Sequence, residues 1–292
     1  MISRPFKQVD VFTTRPFYGN PVAVVLNAGG LDAEDMQRIA AWANLSETTF
    51  VLPATVAGAD YRLRIFTPRQ ELPFAGHPTI GSAHAILESG LIKPVAGRLV
   101  QECGAGLLGL RIEGEGAERR IFVRAPQAKI QQVDGSLCVA INAALGANSV
   151  VDTPRLLVNV GPVWMVVNAG DAKIVNQLRP DFPAITQLSE QLNIAGITVF
   201  GRTLTADPAL CVRSFAPACG VAEDPVCGSG NASVAAFLAH ADMLGSIGYS
   251  YMASQGTEMG RDGRVSVHVN KADMSVEIGG ACVTCIDGIL QK

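Results

Sequence analysis

Glu47, His77, Asp224 and Cys227 are the side chains in this sequence whose types and settings best suit moving protons. Glu47 lies in Asn44-Leu45-Ser46-Glu47-Thr48-Thr49-Phe50, between a helical pattern and a strand pattern. A carboxylate in a partly desolvated pocket has a raised pKa and can serve as both general base and general acid. The local sequence alone fits a solvated loop glutamate far better. Of four histidines, His77 is the one beside a Gly-Pro break, which makes it the best titrating candidate. His84 falls on nearly the same helical face and reads as packing; His240 and His268 read as surface or structural. Asp224 precedes Pro225, where capping the following backbone is the plain alternative to a chemical role. Cys227 stands just before a glycine-rich helix start, where the helix dipole can lower a thiol pKa; a buried inert cysteine is the alternative.

These residues sit on a repeated framework. Phe66-Thr67-Pro68 is followed by Pro73-Phe74-Ala75-Gly76-His77-Pro78-Thr79-Ile80-Gly81-Ser82-Ala83. Phe215-Ala216-Pro217 is followed by Pro225-Val226-Cys227-Gly228-Ser229-Gly230-Asn231-Ala232-Ser233-Val234-Ala235. Both series run strand, Phe-x-Pro, loop, Pro-x-x-Gly, then a helix of tiny residues, offset by about half the chain. Helix N-termini present amides and a positive dipole end, so two of them facing one cleft would hold a carboxylate. Gly and Ala also simply permit tight packing. A cysteine-pair racemase would need a thiol at the place matching Cys227, and that place is Ala75. The repeat thus leaves Glu47 as the proton carrier.

The elements that must position these residues alternate between strand and helix signals. Phe6–Phe12, Pro21–Leu26, Thr49–Leu52 and Tyr61–Phe66 predict strands, and Asp32 predicts a cap for a helix over Ala33–Asn44. A small-residue helix is predicted over Pro78–Glu88, then strands at Arg98–Gln101, Leu107–Ile112 and Arg120–Val123. The second half predicts a helix at Asp134–Leu145, a hairpin of Leu156–Val160 with Val163–Val167, and a helix at Ile185–Leu192. It continues with a strand at Leu210–Phe215, a helix after Gly228, and strands at Ser246–Met252, Arg264–Val269 and Ser275–Ile278.

The chain has 292 residues, 48% apolar and 17% charged, with a formal net charge of −3. This length leaves room for two globular domains, each with its own core, and there is no basic surplus for nucleic acid or an anionic membrane. The N-terminus lacks a signal-like apolar core and no apolar run has membrane-spanning length, so a cytoplasmic protein is expected. Seven scattered cysteines fit reduced thiols. Gly104-Ala105-Gly106-Leu107-Leu108-Gly109 matches a dinucleotide fingerprint, but a strand pattern follows where a helix is required. Cys282-Val283-Thr284-Cys285 has no second metal pair. No hydrolase elbow is present.

Taken together, the motifs resemble the phenazine-biosynthesis isomerase (PhzF-like) family of the diaminopimelate-epimerase-like superfamily. The resemblance runs nearly end to end. It is carried by Val9-Asp10-Val11-Phe12 with Gly19-Asn20-Pro21, Leu45-Ser46-Glu47-Thr48, Phe74-Ala75-Gly76-His77-Pro78-Thr79, Glu223-Asp224-Pro225 with Gly228-Ser229, and Gln255-Gly256 with Met259-Gly260-Arg261. It implies an α+β fold of two similar halves, each a β-barrel-like sheet around a central helix. The halves are expected at residues 1–118, joined by a returning C-terminal strand 280–292, and at 119–279. It also implies a homodimer, no metal or cofactor, and a small carboxylate substrate. Glu47 would move the proton in the cleft between the halves, as in isomerisation of a dihydro-hydroxyanthranilate. His77 and Asp224 would assist, while Gly76, Gly228 and Ser229, with Cys227 beside them, would line the carboxylate site. Cys227 departs from the phenazine enzyme, which has a threonine-like residue there. That keeps two alternatives open: an epimerase or racemase using Cys227, and a non-catalytic small-molecule-binding protein.

Overall fold

The computed structural model describes residues 2–146 and 154–292. The chain divides into two units, Met1–Arg124 with Gly279–Lys292, and Ala125–Ile278. The first unit holds β1 (Ser3–Val11), β2 (Asn20–Val25), α1 (Ala33–Ala43), β3 (Thr48–Leu52), β4 (Tyr61–Phe66), β5 (Glu71–Leu72), α2 (Gly76–Glu88), β6 (Arg98–Cys103), β7 (Gly106–Glu113) and β8 (Arg120–Arg124). Strands β1–β2 pair antiparallel, β2–β3 parallel and β3–β4 antiparallel; β5 lies on β4, and β4–β6 pair parallel before antiparallel β6–β7 and β7–β8. The fingerprint-like glycines therefore form the β6–β7 hairpin.

The rest of the chain is β9 (Lys129–Gln132), α3 (Cys138–Ala144), β10 (Leu156–Asn159), β11 (Val163–Asp171), α4 (Ala172–Gln177), α5 (Phe182–Leu192), β12 (Gly196–Arg202), β13 (Leu210–Ala216), β14 (Val221–Asp224), α6 (Gly228–His240), α7 (Leu244–Ile247), β15 (Ser250–Gln255), β16 (Gly263–Val269), β17 (Val276–Gly280) and β18 (Cys282–Gln291). Its pairings repeat the same order of senses: β10–β11 antiparallel, β11–β12 parallel, β12–β13 antiparallel, β14 on β13, β13–β15 parallel, β15–β16 antiparallel. β9 lines β10 antiparallel. In the first unit the matching place beside β1 is taken by β18, from Ser3↔Gln291 to Val11↔Cys282.

In each unit one central helix is buried among the strands and a second packs on their other face. α2 touches β1, β2, β3, β8 and β18, and every residue from His77 to Ile86 is buried. α6 touches β10, β11, β12 and β16 and is nearly as buried. A helix apolar all round has no solvent face to keep, so it folds only inside such a wrap. Small residues allow the approach: a Cβ on Gly81 would meet Val22 Cγ1 at 2.4 Å and Val11 Cγ2 at 2.9 Å. On the other face, α1 buries Met36 and Ala40 against Phe50 and Phe66, whose rings meet edge to face at 5.5 Å. α5 buries Ile185 and Leu188 with Phe215 in the same way.

Three sequence expectations are corrected. α2 begins at Gly76, so His77 lies inside its first turn and is not excluded by Pro78. First-turn amides have no intrahelical partner, so proline at the third position costs no hydrogen bond. The Asp134–Leu145 helix opens as a 3₁₀ turn, with Asp134 capping Ser136 N, and α3 proper starts at Cys138. The strand expected from Ser246 begins at Ser250, because Leu244–Ile247 close a helical turn through Gly248 N to Leu244 O at 2.8 Å. Among the described residues no helix is long and apolar enough to cross a membrane.

Candidate active site

Glu47 is placed by the end of α1 and the start of β3. α1 stops at Asn44, which turns left-handed (φ 51°) and returns its amide to Ala40 O at 3.1 Å. Three residues later, the Glu47 carbonyl accepts from Ala23 N at 3.4 Å, and the parallel β2–β3 register begins at Ala23↔Thr48. Thr49 Oγ1 lies 2.8 Å from Ser82 Oγ, which ties β3 to α2. This brings Glu47 Oε2 to 3.3 Å from His77 Nε2, with side chains 15% and 9% exposed.

Burial raises the Glu47 carboxyl to about pH 7, offset in part by a hydrogen bond with Ser46. Among the described residues Glu47 Oε2 makes no hydrogen bond, so little stabilises its charged form. A carboxyl poised near neutrality can both take and return a proton at cellular pH. Beside it, α2 starts with N-cap Ala75, which offers no side-chain cap. A Cβ on Gly76 would meet nothing within 4 Å. Unlike Gly81, Gly76 is not required by protein packing, and it leaves space at a helix start. Gly76→Ala is expected to fold normally and to raise KM about tenfold, since its methyl fills that space and pushes a bound anion off the helix-start amides, weakening a charge-assisted hydrogen bond. Steady-state kinetics beside a thermal melt check this.

In the second unit, Asp224, Cys227, Gly228 and Ser229 gather at the start of α6. Asp224 Oδ1 accepts from Val226 N at 3.1 Å, so the capping role is real. The Cys227 thiol caps α6, Sγ accepting from Gly230 N at 3.2 Å, and lies 3.5 Å from Ser229 Oγ. Its pKa is raised well above the usual thiol value, by burial first and by Asp224 next. The expectation of a dipole-lowered thiol is therefore overturned: desolvation outweighs the helix end. Cys227→Ser is expected to keep activity within a few-fold, and iodoacetamide to leave the native wild-type enzyme active.

Several supporting residues went unassigned from sequence. Gln255 braces the α6 start, accepting from Cys227 N at 3.1 Å and Asn231 Nδ2 at 3.0 Å and donating to Asp224 O at 2.9 Å. Gln101 does the like for α2, donating to Thr79 Oγ1 at 3.1 Å. Trp164 Nε1 donates to Ser229 Oγ at 2.9 Å. Arg213 clamps Glu223, beside Asp224, through bonds of 2.8 and 2.9 Å and lies over Phe215; Arg64 clamps Glu71 at 2.7 Å twice and lies over Phe66. Arg-x-Phe followed by Glu-x-Pro, present in both halves, was the signal available. Among the described residues no three His, Cys, Asp or Glu are grouped to hold a metal ion.

The matched registers show how unlike the two halves are chemically. Thr48↔Phe66 corresponds to Ile197↔Phe215, so Glu47 matches Gly196. A Cβ there would lie 1.9 Å from Phe215 O, so no side chain fits. Aligning the helix starts matches Asp224 to Leu72, Cys227 to Ala75 and Ser229 to His77.

A model of the PhzC-PhzF family, described as phenazine biosynthesis-like protein, matches residues 9–288. The chain belongs to the PhzF family. It is 42% identical to Antisense-enhancing sequence 1 of Schizosaccharomyces pombe over 99% of both chains. It is 32% identical to the trans-2,3-dihydro-3-hydroxyanthranilate isomerase of Pseudomonas aeruginosa, covering 93% of this chain and 94% of that one. The crystal structure of a PhzF-family protein from Bacillus anthracis superposes with a TM-score of 0.87 at 26% identity, covering 100% of both. Solved structures of a hydroxyproline epimerase from Agrobacterium vitis and a "probable proline racemase" from Agrobacterium radiobacter, at 18% and 17% identity, share the fold alone. The architecture is thus the α+β, diaminopimelate-epimerase-like one, and by family the PhzF-like chain is an isomerase.

Proposed function

We propose that this protein is a cofactor-independent isomerase that moves a proton on a small amino- or hydroxy-carboxylate of dihydro-hydroxyanthranilate type. The observation that carries the reading is the buried Glu47 carboxyl, held near pH 7 and 3.3 Å from His77 Nε2. Glu47 removes a proton from carbon and returns it at another carbon. His77 orients the carboxyl and assists the transfer. Asp224 engages the substrate's amino or hydroxyl group, and the first turns of α2 and α6, with Gly76, Gly228 and Ser229, hold its carboxylate. The 32% identity to a dihydro-hydroxyanthranilate isomerase supports this substrate class. An epimerase working through Cys227 is the weaker reading, since burial and Asp224 keep that thiol protonated.

The ionisation of Glu47 tests the reading without a known substrate. In protein labelled with ¹³C at glutamate carboxyls, a resonance absent from Glu47→Gln should titrate with a midpoint near pH 7. A midpoint near 4.5 would make Glu47 an ordinary carboxylate and overturn its role.

A further inference from the structure

We propose that Trp164 is a positioning residue that fixes the Ser229 hydroxyl as a hydrogen-bond donor to the substrate's carboxylate. The inference rests on the reading above, in which the first turn of α6 holds that carboxylate. An indole N–H can only donate, so at 2.9 Å the Ser229 oxygen must be the acceptor. A serine has a single O–H, and with its oxygen occupied by Trp164 that O–H is directed elsewhere. The near alternative is Cys227 Sγ at 3.5 Å, which already accepts from Gly230 N. Sulfur is a weak acceptor, and a carboxylate is far stronger. Ser229 is half-buried at the second position of α6, where its hydroxyl can meet a ligand beside the first-turn amides.

Trp164 is well held for this task. It is 4% exposed and lies in β11 opposite Gly196, the position that excludes a side chain. In the first unit the residue matching Trp164 is Val22, and the residue matching Ser229 is His77. The indole–hydroxyl pair therefore belongs to one half only, as Glu47 belongs to the other.

Anthranilate, a stable aromatic carboxylate, is the probe, with uncharged anthranilamide as its control; affinities are read by calorimetry. Ser229→Ala should weaken anthranilate at least about tenfold, and Trp164→Phe about fivefold, as for loss of one oriented hydrogen bond to a charged group. In the Ser229→Ala background, Trp164→Phe should change nothing further, and both changes should affect anthranilamide, whose amide oxygen is a weaker, uncharged acceptor, clearly less than anthranilate. A second readout leaves Trp164 in place. The two indole N–H resonances are assigned with Trp42→Phe, and anthranilate should shift that of Trp164 in wild type but not in Ser229→Ala. A Trp164→Phe effect that persists in Ser229→Ala, or that falls equally on anthranilamide, reduces Trp164 to packing and overturns this proposal alone. Failure of wild type to bind anthranilate more tightly than anthranilamide overturns the carboxylate reading of α6 and this proposal with it.

Discussion

Glu47→Gln is expected to lower turnover at least about a hundredfold, the usual loss on removing a general base, while making the protein more stable above neutral pH. The folded carboxyl titrates near 7, against an ordinary 4.5. Between those values the folded state binds more protons than the unfolded one, so stability falls as pH rises from 4.5 to 7. Above pH 7 the full penalty of a buried charge is present, about 3 kcal/mol at 1.36 kcal/mol per unit. Glutamine keeps the shape and never ionises. Denaturant unfolding should show Glu47→Gln more stable than wild type by up to about 3 kcal/mol at pH 8.5, with the gain vanishing near pH 4. A variant less stable at both pH values would show that the ionised carboxylate is structurally needed. The kcat/KM of the wild type should rise through pH 7 as Glu47 ionises.

The second large effect is on stability. Arg213 and Glu223 have side chains 5% and 9% exposed, and Arg213 Nη1 also donates to the carbonyls of Val175 and Leu178 at 3.2 Å. Removing Glu223 leaves a buried guanidinium whose remaining carboxylate, Glu258, is 3.9 Å away. Glu223→Ala should cost about 3–5 kcal/mol. It should also depress kcat, because β14 meets β13 at only Ser214↔Asp224 and Ala216↔Val221, and the clamp steadies Asp224. The matched pair Arg64–Glu71 is 19% and 42% exposed, so Glu71→Ala should cost no more than about 1 kcal/mol. Paired denaturation curves check both; equal costs would contradict the argument from burial.

The duplication was legible because the two central helices must be small to lie inside their sheets, and tiny residues after Pro-x-x-Gly announce that twice. The three-residue difference in spacing falls in the turn Pro217–Cys219, outside every paired strand. β12, the counterpart of β3, was passed over. Its run Gly196–Phe200 is wholly buried and so shows no alternation to read. The types of the site residues were visible, but not their meeting. Glu47 and His77 lie 30 positions apart, and the parallel β2–β3 register, the Thr49–Ser82 contact and the packing of α2 on these strands bring them together. For Cys227 the sequence showed the helix start and hid the burial that decides its protonation.

The most direct test of the central claim is deuterium incorporation. The protein is incubated in D₂O with a panel of dihydroaromatic and amino-acid carboxylates, beside Glu47→Gln, and uptake at carbon is followed by NMR. The account predicts uptake by the wild type that is lost, by about a hundredfold or more, in Glu47→Gln. Uptake that survives in Glu47→Gln would place the proton on another group and contradict it.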